Sequence, residues 1–142
     1  MKRTIATLAV LATSGGAALA QDCAAGKTLE DGVLTIATGN PAYYPWVLDD
    51  APEGKQGFEA AVAYAVAEAM GFGDDQVTWV RTSFDQSIQP GPKDFDFNLQ
   101  QFSITAEREQ MVDFSAPYYS SAMAVLATSA AVEAGAEPTV SS

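Results

Sequence analysis

Along the chain, apolar residues gather into short runs separated by Gly, Pro and Asp clusters, and the period within each run predicts its element. Val33 to Thr38 is a mostly apolar, β-rich stretch closed by Gly32 and Gly39, which reads as a buried strand. Asn40 to Gly57 is dense in Pro, Gly, Asp and aromatic residues. It reads as a loop, with a short strand around Trp46 to Leu48 and a turn at Ala51-Pro52-Glu53-Gly54. From Phe58 to Met70 the chain is rich in alanine, with Phe58, Val62, Ala65, Val66 and Ala69 at helical spacing and Gly71 placed to end the helix. Gln76 to Arg81 alternates, with Val77, Trp79 and Arg81 on one face and Thr78 and Val80 on the other, so a second strand follows. Strand, helix and strand within about fifty residues make a βαβ unit, and the right-handed crossover rule then predicts a parallel sheet of the α/β class.

Further on, Ser83 or Asp85 caps a short helical turn through Ile88, which Pro90-Gly91-Pro92 must stop. Phe95 to Leu99 reads as a third strand, and Thr105 is placed as the N-cap of a brief helix over Ala106 to Gln110. Val112 to Phe114 and Ala122 to Thr128 are two more short strand candidates, separated by Pro117-Tyr118-Tyr119. Beyond Thr128 the aromatics vanish and Ala, Ser, Glu and Gly take over, so residues 129–142 read as a linker or truncated tail.

The first twenty residues are of a different kind. Lys2 and Arg3 precede the mostly apolar Ile5 to Leu11, and Ala18-Leu19-Ala20 offers a small-x-small cleavage site, which predicts a secretory signal peptide over residues 1–20. The apolar run is shorter than the roughly 20 residues a bilayer core needs. No stable membrane insertion is expected. Asp22 stands where a lipid-anchored Cys23 would need a small residue.

The 142 residues suffice for one domain of ordinary size. Their net charge is −11, and Lys2 and Arg3 are two of the seven cations, so cleavage leaves the chain two units more negative. That excludes a general nucleic-acid binder and disfavours adhesion to anionic lipid. A single cysteine allows no intrachain disulfide. The absence of histidine removes Ser-His-Asp and Cys-His catalysis together with the usual zinc sites. Asp49-Asp50 and Asp74-Asp75 lack the alternating oxygen ligands of a calcium loop, so neither a metal nor a cofactor is expected.

Two stretches can carry chemistry. Phe102-Ser103-Ile104-Thr105-Ala106-Glu107-Arg108 combines a helix start, with unpaired backbone N–H groups, and a guanidinium one turn in. Together these suit a small carboxylate; the plainer alternative is a surface ion pair of Arg108 with Asp113 or Glu107. Asn40-Pro41-Ala42-Tyr43-Tyr44-Pro45-Trp46 follows the first strand directly, where ligands of open α/β sheets collect, and offers an aromatic wall. Such aromatics also pack against their own sheet.

The order of these motifs resembles that of the amino-acid-type periplasmic solute-binding proteins of ATP-driven uptake systems. The matching residues are Val33 to Thr38, Tyr43-Tyr44-Pro45-Trp46, Gly57-Phe58-Glu59, Trp79 with Ser83-Phe84-Asp85, Asp94-Phe95-Asp96-Phe97, and Ser103-Ile104-Thr105 to Arg108, followed by Asp113-Phe114-Ser115 and Pro117-Tyr118-Tyr119. The resemblance implies a periplasmic-binding-protein-like lobe over residues 21–128, with a mainly parallel sheet, flanking helices and the second lobe missing. It implies that Arg108 clamps the ligand's α-carboxylate, assisted by the backbone N–H and hydroxyl of Ser103, while Tyr43 and Phe84 sandwich the ligand side chain. Asn40 would read the far end of that side chain, and the Gln101 carbonyl would help hold the α-amino group. The bulky Gln100-Gln101-Phe102 departs from the small residues usual beside the clamp.

Taken together, the resemblance implies periplasmic binding of a small amino acid or related carboxylate for delivery to an ABC transporter permease, without enzymatic turnover. Because the second lobe would supply the ammonium partner and the lid, weak binding, an open sheet edge and self-association are expected. The competing expectations are a dehydratase-like enzyme using Glu107 or Asp113 as acid or base, a receptor sensor domain, and an inactive truncated product.

Overall fold

The run after Gly32 becomes the middle strand of a sheet in the computed structural model, which describes residues 24–137. The expected leader over residues 1–20 and Cys23 lie outside the described residues. Strand β1 (Leu34–Gly39) is parallel to β2 (Val77–Thr82) on one side and to β3 (Phe97–Asn98) on the other, giving the order β2-β1-β3. Leu34 pairs with Val77 and Gly39 with Thr82, while Ile36 pairs with Phe97. The β1–β3 ladder continues past the two residues of β3 through Asp96 N–H to Thr35 O (2.8 Å) and Leu99 N–H to Ala37 O (3.0 Å). Asp96 adds side-chain acceptors, its carboxylate receiving the N–H groups of Leu29 and Thr35 at 2.7 Å each. The fold is α/β, with a three-stranded parallel sheet flanked by helices.

Helix α1 (Phe58–Ala69) joins β1 to β2. Its end shows why Gly71 is there: Phe72 N–H bonds to Ala67 O and Gly71 N–H to Glu68 O, both at 2.9 Å, with Gly71 at φ +88°. This paired closure needs a left-handed residue and turns Phe72 back onto the helix. Phe72 and Ala67 accordingly share the core with Ala24, Leu34, Ile36, Ala63 and Leu99.

The face that α1 buries differs from the expected one. Glu59, Ala60, Ala63 and Ala67 face inward, whereas Phe58, Ala65, Val66 and Ala69 are exposed and only Val62 of the predicted stripe packs against the core. The helix is apolar nearly all round, so its period cannot choose a side. Leu34, Ile36 and Leu99 already fill the space above the sheet, and the small alanines fit against them.

A short helix α2 (Phe84–Ile88) follows β2. The Ser83 hydroxyl caps it by accepting Gln86 N–H at 3.3 Å, and the Gln86 side chain returns to Ser83 in a capping box. The expected strand at Trp46 to Leu48 is instead a turn, because the N–H groups of Trp46 and Val47 both donate to Tyr43 O. With those donors satisfied inside the loop, no ladder can form there.

The chain divides after Val112 into two compact units. Neither Val112 to Phe114, at that division, nor Ala122 to Thr128, in the second unit, pairs as a strand among the described residues. Helix α3 (Ser129–Glu133) follows, capped by the Thr128 hydroxyl accepting Ala131 N–H at 3.2 Å, so the predicted linker begins with a helical turn. Among the described residues no helix is long and apolar enough to cross a membrane.

Candidate functional site

The strand order β2-β1-β3 means that the chain leaves β1 for one side and later returns to the other. The crevice outside the carboxyl ends of β1 and β3 is therefore the topological switch point, where open α/β sheets bind ligands. Gly39 and Asn40 end one wall of this crevice, and Asn98 to Gln101 end the other. The walls approach closely. A Cβ on Gly39 would lie 2.9 Å from Pro41 O and 3.1 Å from the Gln100 side-chain nitrogen, so only glycine fits without displacing the amide.

Helix α2 is tied to the same end of the sheet. The buried Ser87 hydroxyl accepts from the Asn98 side-chain amide at 3.3 Å and lies 3.4 Å from the Gln100 side-chain oxygen and 3.0 Å from Ser83 O. This places Phe84, the first residue of α2, beside the segment that leaves β3. The Phe84 and Phe102 rings pack with centroids 4.4 Å apart and planes inclined by 34°. The Arg108 guanidinium lies over the Phe84 ring, 5.1 Å from its centroid, and its Nη1 donates to Ser103 O at 2.9 Å. A guanidinium has five donors in a rigid fork, and that bond uses one of them. The arrangement orients a planar cation against an aromatic face, which favours bidentate recognition of a carboxylate.

The helix start expected to assist Arg108 is reduced to a 3₁₀ turn, Arg108–Gln110. Its N-cap position is Glu107, without a side-chain cap bond, rather than the expected Thr105, whose hydroxyl accepts the N–H of Arg108 itself at 3.3 Å. The N–H groups of Glu109 and Gln110 are also engaged, by Thr105 O (3.0 Å) and Glu107 O (3.3 Å), so the backbone donors of this turn are used within the chain.

On the other side of the switch point, the loop after β1 is held by Arg81 from the end of β2. Its Nη1 donates to Gly39 O at 2.8 Å and to the Asp50 carboxylate at 2.7 Å, and its Nη2 donates to Asp50 O. The same carboxylate accepts Ala42 N–H at 2.8 Å. That backbone bond is the largest influence on Asp50 and lowers its pKa; desolvation opposes it, and the hydrogen bond and charge of Arg81 lower it further. The loop so fixed carries Asn40 and Tyr43, both exposed, Tyr43 at 64%.

Of the residues singled out by sequence, the structure thus gathers Phe84, Ser103 and Arg108 into one cluster. Asn40 and Tyr43 stand on the opposite loop, and among the described residues no hydrogen bond or ring contact joins Tyr43 to Phe84 or Arg108. The N–H groups of Gln101 are engaged by Glu59: its main-chain N–H donates to one carboxylate oxygen at 2.9 Å, and its side-chain amide donates to the other. Sequence reasoning assigned no role to Phe102, Gln100, Ser87, Arg81 or Glu59. The Ser83 capping signal already placed α2, and hence Ser87; the other contacts span long stretches of chain and leave no local mark.

A further polar hollow, of about 240 Å³, lies on the β2 side and is lined by residues including Arg81, Gln86, Lys93 and Asp94. Lys93 is occupied there, donating to Gln86 O at 2.8 Å and to Gln89 O. Among the described residues no group of three or more His, Cys, Asp or Glu is arranged to hold a metal.

Comparison with known proteins gives one family. The model of the bacterial extracellular solute-binding proteins, family 3, matches residues 34–134, from the first residue of β1 to the residue after α3. No curated protein and no solved structure matches the chain.

Proposed function

The chain belongs to the bacterial extracellular solute-binding proteins of family 3, and we propose that it binds a small amino acid or related carboxylate for delivery to the permease of an ABC transporter. The observation that carries the ligand class is the Arg108 guanidinium, oriented by Ser103 O and the Phe84 ring. It clamps the ligand's carboxylate. The Phe84 and Phe102 rings receive the ligand's apolar part, and Tyr43 closes on it from the opposite loop once a ligand bridges the crevice. Asn40 reads the far end of the side chain, the Ser103 hydroxyl assists the carboxylate, and the Gln101 carbonyl assists the ammonium. Residues 1–20 act as a cleaved signal peptide and place the mature chain in the periplasm.

The groups in contact with the Arg108 side chain are a ring and a main-chain carbonyl, which do not exchange protons near neutral pH. This favours binding over turnover.

The test is a nuclear magnetic resonance titration of the ¹⁵N-labelled chain with a panel of free L-amino acids. At least one is expected to shift the Ser103 amide and the Arg108 Nε resonance saturably. Arg108→Met should weaken that response about tenfold or more, the loss of a charge-assisted contact. Equal binding by Arg108→Met, or no response to any α-amino acid, overturns the proposal.

A further inference from the structure

We propose that Glu59 is the positioning residue of the crevice: from the first turn of α1 it fixes the segment carrying Ser103 and Arg108 relative to the loop carrying Asn40 and Tyr43. The proposal deepens the ligand-site reading above and rests on it for its functional meaning, but it is carried by separate contacts.

Glu59 is 1% exposed. A carboxylate in such a place is tolerated when its oxygens are engaged by hydrogen-bond donors. Here one residue 42 positions away supplies two donors, the main-chain N–H and the side-chain amide of Gln101. Gln101 has φ +51°, a left-handed conformation that side chains other than glycine rarely adopt without support. It lies between Leu99, whose N–H closes the β1–β3 ladder, and Ser103, whose carbonyl holds Arg108. The grip on Gln101 therefore sets the direction in which the chain leaves β3.

The same helical turn holds the other loop with its main chain. The N–H groups of Phe58 and Glu59 donate to Pro45 O (3.1 Å) and Trp46 O (2.9 Å), and Ala60 N–H reaches Trp46 O at 3.4 Å. These are donors that a helix start leaves without partners inside the helix. Gly57 makes the approach possible, since a Cβ there would lie 2.4 Å from Trp46 O. One turn of α1 thus holds the Tyr43 loop through its backbone and the Arg108 segment through a single carboxylate. Glu59 acts on the ligand only through these segments.

Glu59→Gln preserves volume but turns one acceptor into a donor facing a donor. Hydrogen exchange on the ¹⁵N-labelled full chain reads the result residue by residue. In the wild type, Gln101 N–H should exchange more slowly than the exposed neighbours Ser103 and Ile104. In Glu59→Gln, its exchange should rise about tenfold or more, and the amides of residues 101–108 should shift, while Ile36 and Ala37 in β1 keep their rates. Three results overturn the proposal: wild-type Gln101 exchanging as fast as Ser103, unchanged exchange in Glu59→Gln, or an equal acceleration at Ile36 and Ala37. The wild-type measurement decides even if the variant does not fold. If no amino acid perturbs the wild-type chain, the ligand reading falls alone, because the exchange pattern tests the tether independently.

Discussion

Two segments of the chain have similar strand-like composition and opposite fates. Leu34 to Gly39 is paired on both sides, and Leu34 and Ile36 are fully buried beneath α1. Ala122 to Thr128, in the second unit, has no ladder among the described residues and leaves Met123 82% and Leu126 99% exposed. The difference is not propensity. A strand is stable only when its backbone groups find partners and one face finds a core, and β1 has β2, β3 and the alanine side of α1 to provide them.

The largest test of this contrast is a pair of truncations followed by chemical denaturation. Ile36→Ala should cost about 2–5 kcal/mol, the usual penalty for emptying a packed site. Leu126→Ala should change stability by less than about 0.5 kcal/mol, as expected of an exposed side chain. Comparable losses would show that residues 122–128 are covered in solution.

A smaller effect belongs to the α2 cap. Ser83→Ala should destabilise by about 1 kcal/mol, because it removes the acceptor for Gln86 N–H. The Ser87 contacts to Asn98 and Gln100 should loosen with it, visible as shifts of both side-chain amides. An unchanged melting curve would mean that packing of Phe84 on Phe102 suffices to hold the helix.

The smallest effect is a pH dependence. Because the folded pKa of Asp50 is lowered, its ionised form supports the loop above the ordinary carboxylate range. That contribution is complete at neutral pH and is lost as pH falls through the folded value, below about pH 4. Carbon-detected titration should show Asp50 deprotonating below the usual range with the Ala42 amide shifting in step, and Asp50→Asn should abolish that shift. Titration at or above the usual range would remove Arg81 and Ala42 as its controlling partners.

What sequence could show was local chemistry. Gly71, the Ser83 cap and the alternation of β2 each act within a few residues, the βαβ order follows from their sequence, and each appears in the fold. The candidate cluster was legible where motif residues meet directly, at Phe84, Ser103 and Arg108. It was not legible where a contact joins distant positions. Glu59 reads as an ordinary first-turn acid, favoured by the helix dipole, and nothing near it in sequence announces Gln101. The inward side of α1 was hidden for another reason, since alanine and valine on every side erase the period that would have chosen it. The unpaired segment 122–128 marks the third limit, because composition describes a willingness to pair and says nothing of a neighbour.

The short third strand has a consequence for how the sheet could grow. Along the β3 border only two residues present a regular ladder, too little to template a foreign strand. The β2 border is six residues long, so unwanted sheet-to-sheet addition would have to start there, between copies whose net charge of −11 makes them repel one another.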